Sequence, residues 1–227
     1  MCGRFTLFAS PEQLAEAFDL PEAPILAPRF NIAPTQPVGI VRMDPATQQR
    51  MWALTLWGLI PSWSKDPSMG ARMINARADT VADKPAFREA FRKRRCLVPA
   101  DGFYEWKTEG RTKQPYYFSH LSGAPLVLAG LWESWRAPDG TILRTVCLIT
   151  TSANALMAPI HDRMPVLLNP TDWATWLEGS MEQAAQLFAP YADGALQCWP
   201  VDRRLNRPTE EGAGLIERVG GPEGIVG

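Results

Sequence analysis

The sequence predicts an α+β fold, a single domain with a curved, barrel-like, mostly antiparallel β-sheet core flanked by short helices. Many short runs rich in β-branched and aromatic residues recur along the chain, with turn residues between them. Helical periodicity is confined to a few short segments. A length of 227 residues and a hydrophobic content of 46% suit one core that needs no disulfide or metal to fold.

The first half of the chain contains one clear helix and one clear hairpin. Ser10 is a good helix N-cap, and Gln13 completes a capping box with it. The Pro-rich stretch 21–37 is expected to be mostly irregular. Val38–Met43 and Met51–Trp57 then alternate as two strands of a hairpin.

The second half is richer in predicted strands. A helix is expected over Pro85–Arg95, and a second hairpin over Leu126–Trp132 and Ile142–Thr150. Two further helices are expected between Asn169 and Gly179 and after Ser180. Other short strands are predicted at Leu97–Val98, Tyr104–Trp106, Tyr116–Ser119, Met164–Leu168 and Leu196–Val201.

The chain shows no repeat and no interdomain linker. Residues 1–205 are therefore expected to form one domain. Residues 206–227 are rich in Gly and Glu and poor in large apolar side chains, so we expect a flexible C-terminal tail.

Composition excludes several classes of protein. No apolar run reaches the roughly 18 residues of a membrane helix, and the N-terminus lacks a secretory signal pattern, so a cytoplasmic protein with no membrane partner is expected. The four cysteines are widely separated and form no C-x-x-C pair, so we expect no metal and no cofactor. The net charge of -1 argues against a surface coated with basic groups for nucleic acid. We expect a monomer.

Cys2 is the residue with the most distinctive chemistry. Initiator Met is normally removed before a residue as small as Cys, and the mature chain would then begin with a thiol and a free α-amine on adjacent carbons. Such an amine has a pKa of about 7.7–8.0, so part of it is neutral at physiological pH and can form a Schiff base with an aldehyde. The thiol can then close a thiazolidine ring. The alternative is that Cys2 is an ordinary second residue.

Three other segments carry polar residues in suggestive positions. Asn75 and Arg77 share a face if their segment is extended. Glu105 lies between aromatic residues, an environment that raises a carboxyl pKa and suits proton transfer. His161, one of two histidines, lies beside a charged pair. Each also has a plain structural interpretation: Asn75 as a turn residue, Glu105 as a solvated strand residue and His161 as a structural histidine.

Five ordered motifs together resemble the SOS-response-associated peptidase family, whose members are also called abasic site processing proteins. The resemblance covers Cys2 to about Arg204. The motifs are Met1–Phe5, Trp57–Trp63, Asn75–Thr80, Arg95–Trp106 and Ile160–Pro165.

The resemblance implies covalent capture of abasic sites in single-stranded DNA during the response to DNA damage, with self-removal of Met1 and a lyase side activity. It implies that Cys2 is the nucleophile, that Asn75 holds the amine and the opened sugar, and that Glu105 is the acid/base. It implies that His161 assists proton transfer and reversal. DNA contacts are implied for Arg4, Trp63, Arg77, Thr150 and Arg163.

Two alternatives remain open from the sequence. A cysteine hydrolase would use Cys96 or Cys147 with His161, and a non-enzymatic reader of modified DNA bases would need Trp stacking and Arg contacts but not Cys2. The near-neutral net charge does not exclude DNA. Eight basic residues against three acidic ones lie between Arg72 and Arg95, a local charge of +5.

Overall fold

Two β-sheets and four short helices make up the computed structural model, which describes residues 2–220 and the strand at 225–226. The strands are β1 (Arg4–Leu7), β2 (Arg29–Ile32), β3 (Pro37–Met43), β4 (Arg50–Trp57), β5 (Asn75–Arg77), β6 (Arg95–Ala100), β7 (Gly102–Glu109), β8 (Thr112–His120), β9 (Leu126–Arg136), β10 (Ile142–Ser152), β11 (Arg163–Pro165), β12 (Leu196–Pro200) and β13 (Ile225–Val226). The helices are α1 (Pro11–Phe18), α2 (Arg88–Lys93), α3 (Trp173–Glu178) and α4 (Met181–Ala185). In this described part of the chain, no helix is long and apolar enough to cross a membrane.

Five strands close into a barrel in the order β10, β4, β3, β6 and β9, because β9 also pairs with β10. The short strands β5 and β11 add to the C-terminal half of β10. The fold is thus α+β, in one domain, with additional strands and few short helices, which confirms the predicted fold class.

The second sheet positions the start of the chain. Its order is β13, β12, β8, β7, β1 and β2, so β1 lies between β7 and β2. The ring of Phe5 on β1 contacts that of Trp57 on β4, with 5.1 Å between centroids. Cys2, just before β1, is therefore held between the second sheet and the barrel.

Local signals predicted their elements well. The capping box of α1 is present: the Ser10 hydroxyl accepts from the Gln13 N–H at 3.2 Å, and the Gln13 side chain accepts from the Ser10 N–H at 2.8 Å. The two predicted hairpins are confirmed as β3–β4 and β9–β10. Cys147 and Cys198 are buried strand thiols, as expected.

Three boundaries differ from prediction. The Pro-rich stretch contains strand β2, which forms because Ile32 pairs with Phe5 of β1, a partner 27 residues away. Helix α2 begins only at Arg88, since the residues just before it form turns. Strand β11 ends at Pro165, so the predicted strand through Leu168 is too long.

The segment after Asn206 contacts the domain where it is described. Leu215 is buried, Glu211 pairs with Arg29 at 2.9 Å, and Trp199 donates to the carbonyl of Ile216 at 2.8 Å. Residues 221–224 and 227 lie outside the described residues. The domain boundary at 205 and the mobility of the tail stay predictions.

One buried arginine ties the barrel to its helices, and its removal is testable. The Arg95 guanidinium donates to the carbonyls of Phe91, Trp176 and Gly179. We expect Arg95→Met to lower the free energy of unfolding by about 3 kcal/mol, because three buried carbonyls lose their donor. Urea unfolding followed by tryptophan fluorescence measures the change.

A matched control is available on α2. Arg92 is exposed and pairs with Glu89 at 3.0 Å, so Arg92→Met should cost less than about 1 kcal/mol. Equal losses in the two variants would contradict a structural role for the buried Arg95 contacts.

Candidate active site

Strand pairing brings Cys2 beside Glu105. Arg4 of β1 pairs with Tyr104 of β7, so one further step of the same antiparallel register sets Gly3 opposite Glu105. The Cys2 side chain is 0% exposed, and Glu105 is 2% exposed. The interpretation of Glu105 as a solvated strand residue is therefore wrong.

Asn75 reaches the same point from the barrel. Strand β5 is extended and pairs in parallel with β10, Asn75 lying opposite Leu148. The Nδ2 group of Asn75 donates to the carbonyl of Cys2 at 2.9 Å. Its Oδ1 atom is buried and has no hydrogen-bond partner within residues 2–220. Asn75 thus holds the backbone of Cys2 and retains one buried acceptor next to it.

The thiol of Cys2 is electrostatically unlike a free cysteine. Burial raises the pKa of the Cys2 thiol, and the negative charge of Glu105 raises it further. At neutral pH the sulfur therefore carries its proton. A reaction through this thiol needs a nearby group to accept that proton.

His161 has a defined tautomer when neutral. Its Nδ1 atom accepts from the backbone N–H of Arg163 at 2.9 Å, so a neutral ring carries its proton on Nε2. Asp162 Oδ1 lies 3.0 Å from the same Nδ1. The side chain is 27% exposed, which suits a group that exchanges protons with a substrate.

Three residues predicted to bind DNA come together at the end of β10. Thr150 pairs with Arg77 of β5 on one side and with Pro165 of β11 on the other. Arg163 donates to the backbone carbonyl of Thr150 and to its hydroxyl. Arg77 projects outward and binds Asp79 in a two-point ion pair at 2.6 and 3.0 Å. Arg77 is two residues after Asn75 on β5, so this edge begins next to Asn75.

Arg4 and Trp63 do not lie on this edge, although the Cys2 thiol donates to the carbonyl of Arg4 with 3.8 Å between sulfur and oxygen. The Nη1 group of Arg4 donates to Asn31 Oδ1 and to the carbonyl of Leu205, both at 2.8 Å, and burial lowers its pKa. Trp63 is 61% exposed on a loop anchored where the Ile60 N–H bonds to Thr145. That anchor is five residues from Thr150 along β10, or about 17 Å.

Asn31 is a supporting residue that the sequence reasoning missed. It is 0% exposed, its Oδ1 accepts from Arg4, and its Nδ2 donates to the carbonyls of Arg207 and Glu210 at 3.0 and 2.9 Å. A polar residue between Phe30 and Ile32 was the available signal. Asn31 ties β1, the strand that follows Cys2, to the C-terminal segment.

The described residues contain no group of three or more His, Cys, Asp or Glu side chains that could hold a metal ion. A hydrolase based on Cys96 or Cys147 needs an accessible thiolate. Both thiols are 0% exposed in barrel strands, and burial raises both pKa values. Cys2 shares this burial and this direction of pKa shift, and it differs from both in its neighbours: Asn75 binds its carbonyl, and Glu105 acts on its thiol.

Known proteins resemble the chain over nearly its whole length. The family model described as "SOS response associated peptidase (SRAP)" matches residues 1–208. The abasic site processing protein YoqW of Bacillus subtilis is 39% identical over 225 residues, covering 96% of this chain and 99% of that protein. The abasic site processing protein YedK of Escherichia coli is 31% identical, covering 96% and 100%. A solved protein from Bacteroides thetaiotaomicron superposes with a TM-score of 0.86 at 26% identity, covering 96% of this chain and 100% of that one.

Proposed function

The chain belongs to the SOS response associated peptidase family, and on that premise we propose that it processes abasic sites in DNA by covalent capture through Cys2. The contact between Asn75 Nδ2 and the Cys2 carbonyl at 2.9 Å, beside the buried Glu105, is the observation that carries the proposal. The substrate is single-stranded DNA that contains an abasic deoxyribose, in its open aldehyde form.

The reaction begins with removal of Met1, which the protein performs on itself. Asn75 Nδ2 binds the Cys2 carbonyl, and its Oδ1 is a buried acceptor without a partner among the described residues, so we expect the released α-amine of Cys2 to donate one N–H to that Oδ1, which fixes the direction of the nitrogen lone pair. The nitrogen attacks the aldehyde carbon, a C=N bond forms, and water leaves.

The thiol completes the capture. Its sulfur adds to the imine carbon, the C–S bond forms, and the thiol proton ends on the ring nitrogen, which gives a thiazolidine. Because burial and Glu105 keep the thiol protonated, Glu105 is the proton carrier for this step and for opening of the sugar ring. His161 supplies or removes the proton when the linkage reverses.

The DNA strand follows the edge formed by Arg77, Thr150 and Arg163. The guanidinium groups of the two arginines suit phosphate oxygens. Arg4 supports β1, the strand that follows Cys2, and Trp63 stacks on a base away from the reacting sugar. An imine that does not close to the ring can undergo β-elimination at the sugar, which cleaves the DNA strand. This cleavage is the lyase side reaction. The protein acts as a monomer in the cytoplasm and associates with the nucleoid when bound to DNA.

A denaturing gel tests the proposal directly. Purified protein is incubated with an oligonucleotide that carries one abasic site, and a shifted, heat-stable band is expected. An identical strand with an intact base should give no such band. If the wild-type protein binds both strands equally and forms no covalent band, the protein is a non-covalent reader instead.

The role of Glu105 gives a separate prediction. We expect Glu105→Gln to slow formation of the covalent band by about 10²–10⁴-fold, because an amide cannot accept the proton. Single-turnover time courses on the same abasic strand measure the rate. Glu109→Gln, on the exposed end of β7, is the matched control and should react at the wild-type rate.

A further inference from the structure

The barrel has a second polar end, beyond the one that faces Cys2. Arg95 points outward to the helix side, so its neighbour Cys96 points inward. A side chain at Gly130 would meet the Cys96 sulfur at 2.9 Å, so the even-numbered residues of β9 also face inward. These include Trp132 and Ser134.

Two arginines converge on this end. Arg144 of β10 pairs with Ser134, and the guanidinium of Arg42 on β3 lies over the Trp132 ring, 4.9 Å from its centroid. We name Arg42, Trp132, Ser134 and Arg144 the barrel mouth. Arg144 is four residues along β10 from Leu148, the partner of Asn75, or about 13 Å, so the barrel mouth is separate from the candidate active site.

The two guanidinium groups keep unused donors. Arg42 donates through Nη1 to the carbonyl of Met43 at 3.2 Å, while its Nε is buried without a hydrogen-bond partner in the described chain. Arg144 is exposed, and no hydrogen bond or ion pair joins its side chain to another described residue. The charge of Arg144 acts on Arg42, so the two guanidinium groups repel each other, and an anion bound between them offsets that repulsion.

Few other charges reach the barrel mouth. Burial lowers the pKa of Arg42, the charge of Arg144 lowers it further, and Asp44 opposes both. Asp44 uses Oδ1 to accept from the Ala46 N–H in an exposed turn. Arg136, on the same face of β9, adds positive charge and donates to the carbonyl of Gly140 at 3.4 Å. The local balance is positive.

We propose that the barrel mouth binds a phosphate group between Arg42 and Arg144, with the Ser134 hydroxyl as a further donor. Paired guanidinium groups present planar N–H donors that match phosphate oxygens. The phosphate belongs either to a free phosphorylated small molecule or to the backbone of a DNA strand. The site does not depend on Cys2 chemistry.

Calorimetric titration tests the site at constant ionic strength, with pyrophosphate in one arm and an intact single-stranded oligonucleotide in the other. Saturable binding of pyrophosphate is expected, and Arg144→Gln should weaken it at least about tenfold by removing charge-assisted hydrogen bonds. Arg111→Gln, in the exposed β7–β8 turn, should bind as the wild type does. Thermal melting confirms that each variant is folded.

The two arms distinguish the sources of the phosphate. Weaker oligonucleotide binding in Arg144→Gln, with competition by pyrophosphate, assigns the site to a DNA backbone. Pyrophosphate binding that depends on Arg144, with oligonucleotide binding unchanged, assigns it to a small molecule. No saturable pyrophosphate binding, or equal binding by the wild type, Arg144→Gln and Arg111→Gln, overturns the proposal. None of these readouts involves an abasic site, so failure of covalent capture would not affect them.

Discussion

Replacing Cys2 with alanine is expected to abolish the heat-stable band with abasic DNA completely. The variant still loses Met1 and still exposes an α-amine, so an imine can form. It has no sulfur to close the ring, and an imine hydrolyses during heating. The expected pattern is therefore loss of the heat-stable band with survival of a band that is trapped by chemical reduction of the imine.

The measurement is a pair of denaturing gels, with and without a reductant, on the same abasic oligonucleotide. Cys198→Ala is the control, because the Cys198 thiol is buried as that of Cys2 is, but lies on β12, three strands from β1 in the second sheet. It should give the wild-type band. A heat-stable band of normal intensity in Cys2→Ala would show that the linkage does not use this sulfur.

The parts of the fold that the sequence predicted are those that depend on near neighbours. The α1 helix follows from Ser10 and Gln13 alone, and each hairpin joins strands that are adjacent in the chain. Strands β1 and β2 were missed because their pairing joins distant segments. No local periodicity in a Pro-rich stretch shows that Ile32 will meet Phe5.

In the candidate site, too, the residue types could be predicted from the sequence, but their spatial arrangement could not. The residue types of Cys2, Asn75, Glu105 and His161 suggested chemistry and, with their flanking motifs, a family. The proximity of Cys2, Asn75 and Glu105 required the structure, since Glu105 lies on a strand of the second sheet and Asn75 on a strand that pairs with the barrel. The supporting role of Asn31 depends on carbonyls of Arg207 and Glu210, about 180 residues away along the chain, which no sequence pattern near Asn31 indicates.

Keeping extra residues attached to the N-terminal side of Cys2 is expected to prevent covalent capture as completely as removing the sulfur does. With such an extension in place the Cys2 nitrogen is an amide, whose lone pair is delocalised into the carbonyl and does not attack an aldehyde. The thiol and the rest of the site remain. This variant therefore separates the amine from the sulfur, which no substitution of Cys2 can do.

The experiment uses one preparation before and after cleavage by a site-specific protease that cuts directly before Cys2. Intact mass establishes the N-terminus, and the abasic-strand gel gives the reaction. We expect no band from the uncleaved protein and a heat-stable band after cleavage, while Cys2→Ala treated identically gives only the reducible imine. Wild-type protein made without an extension should have lost Met1 by mass. A heat-stable band from protein whose mass shows an uncleaved extension would require a nucleophile other than the Cys2 amine, and Asn75 would then lose its proposed role of orienting that nitrogen.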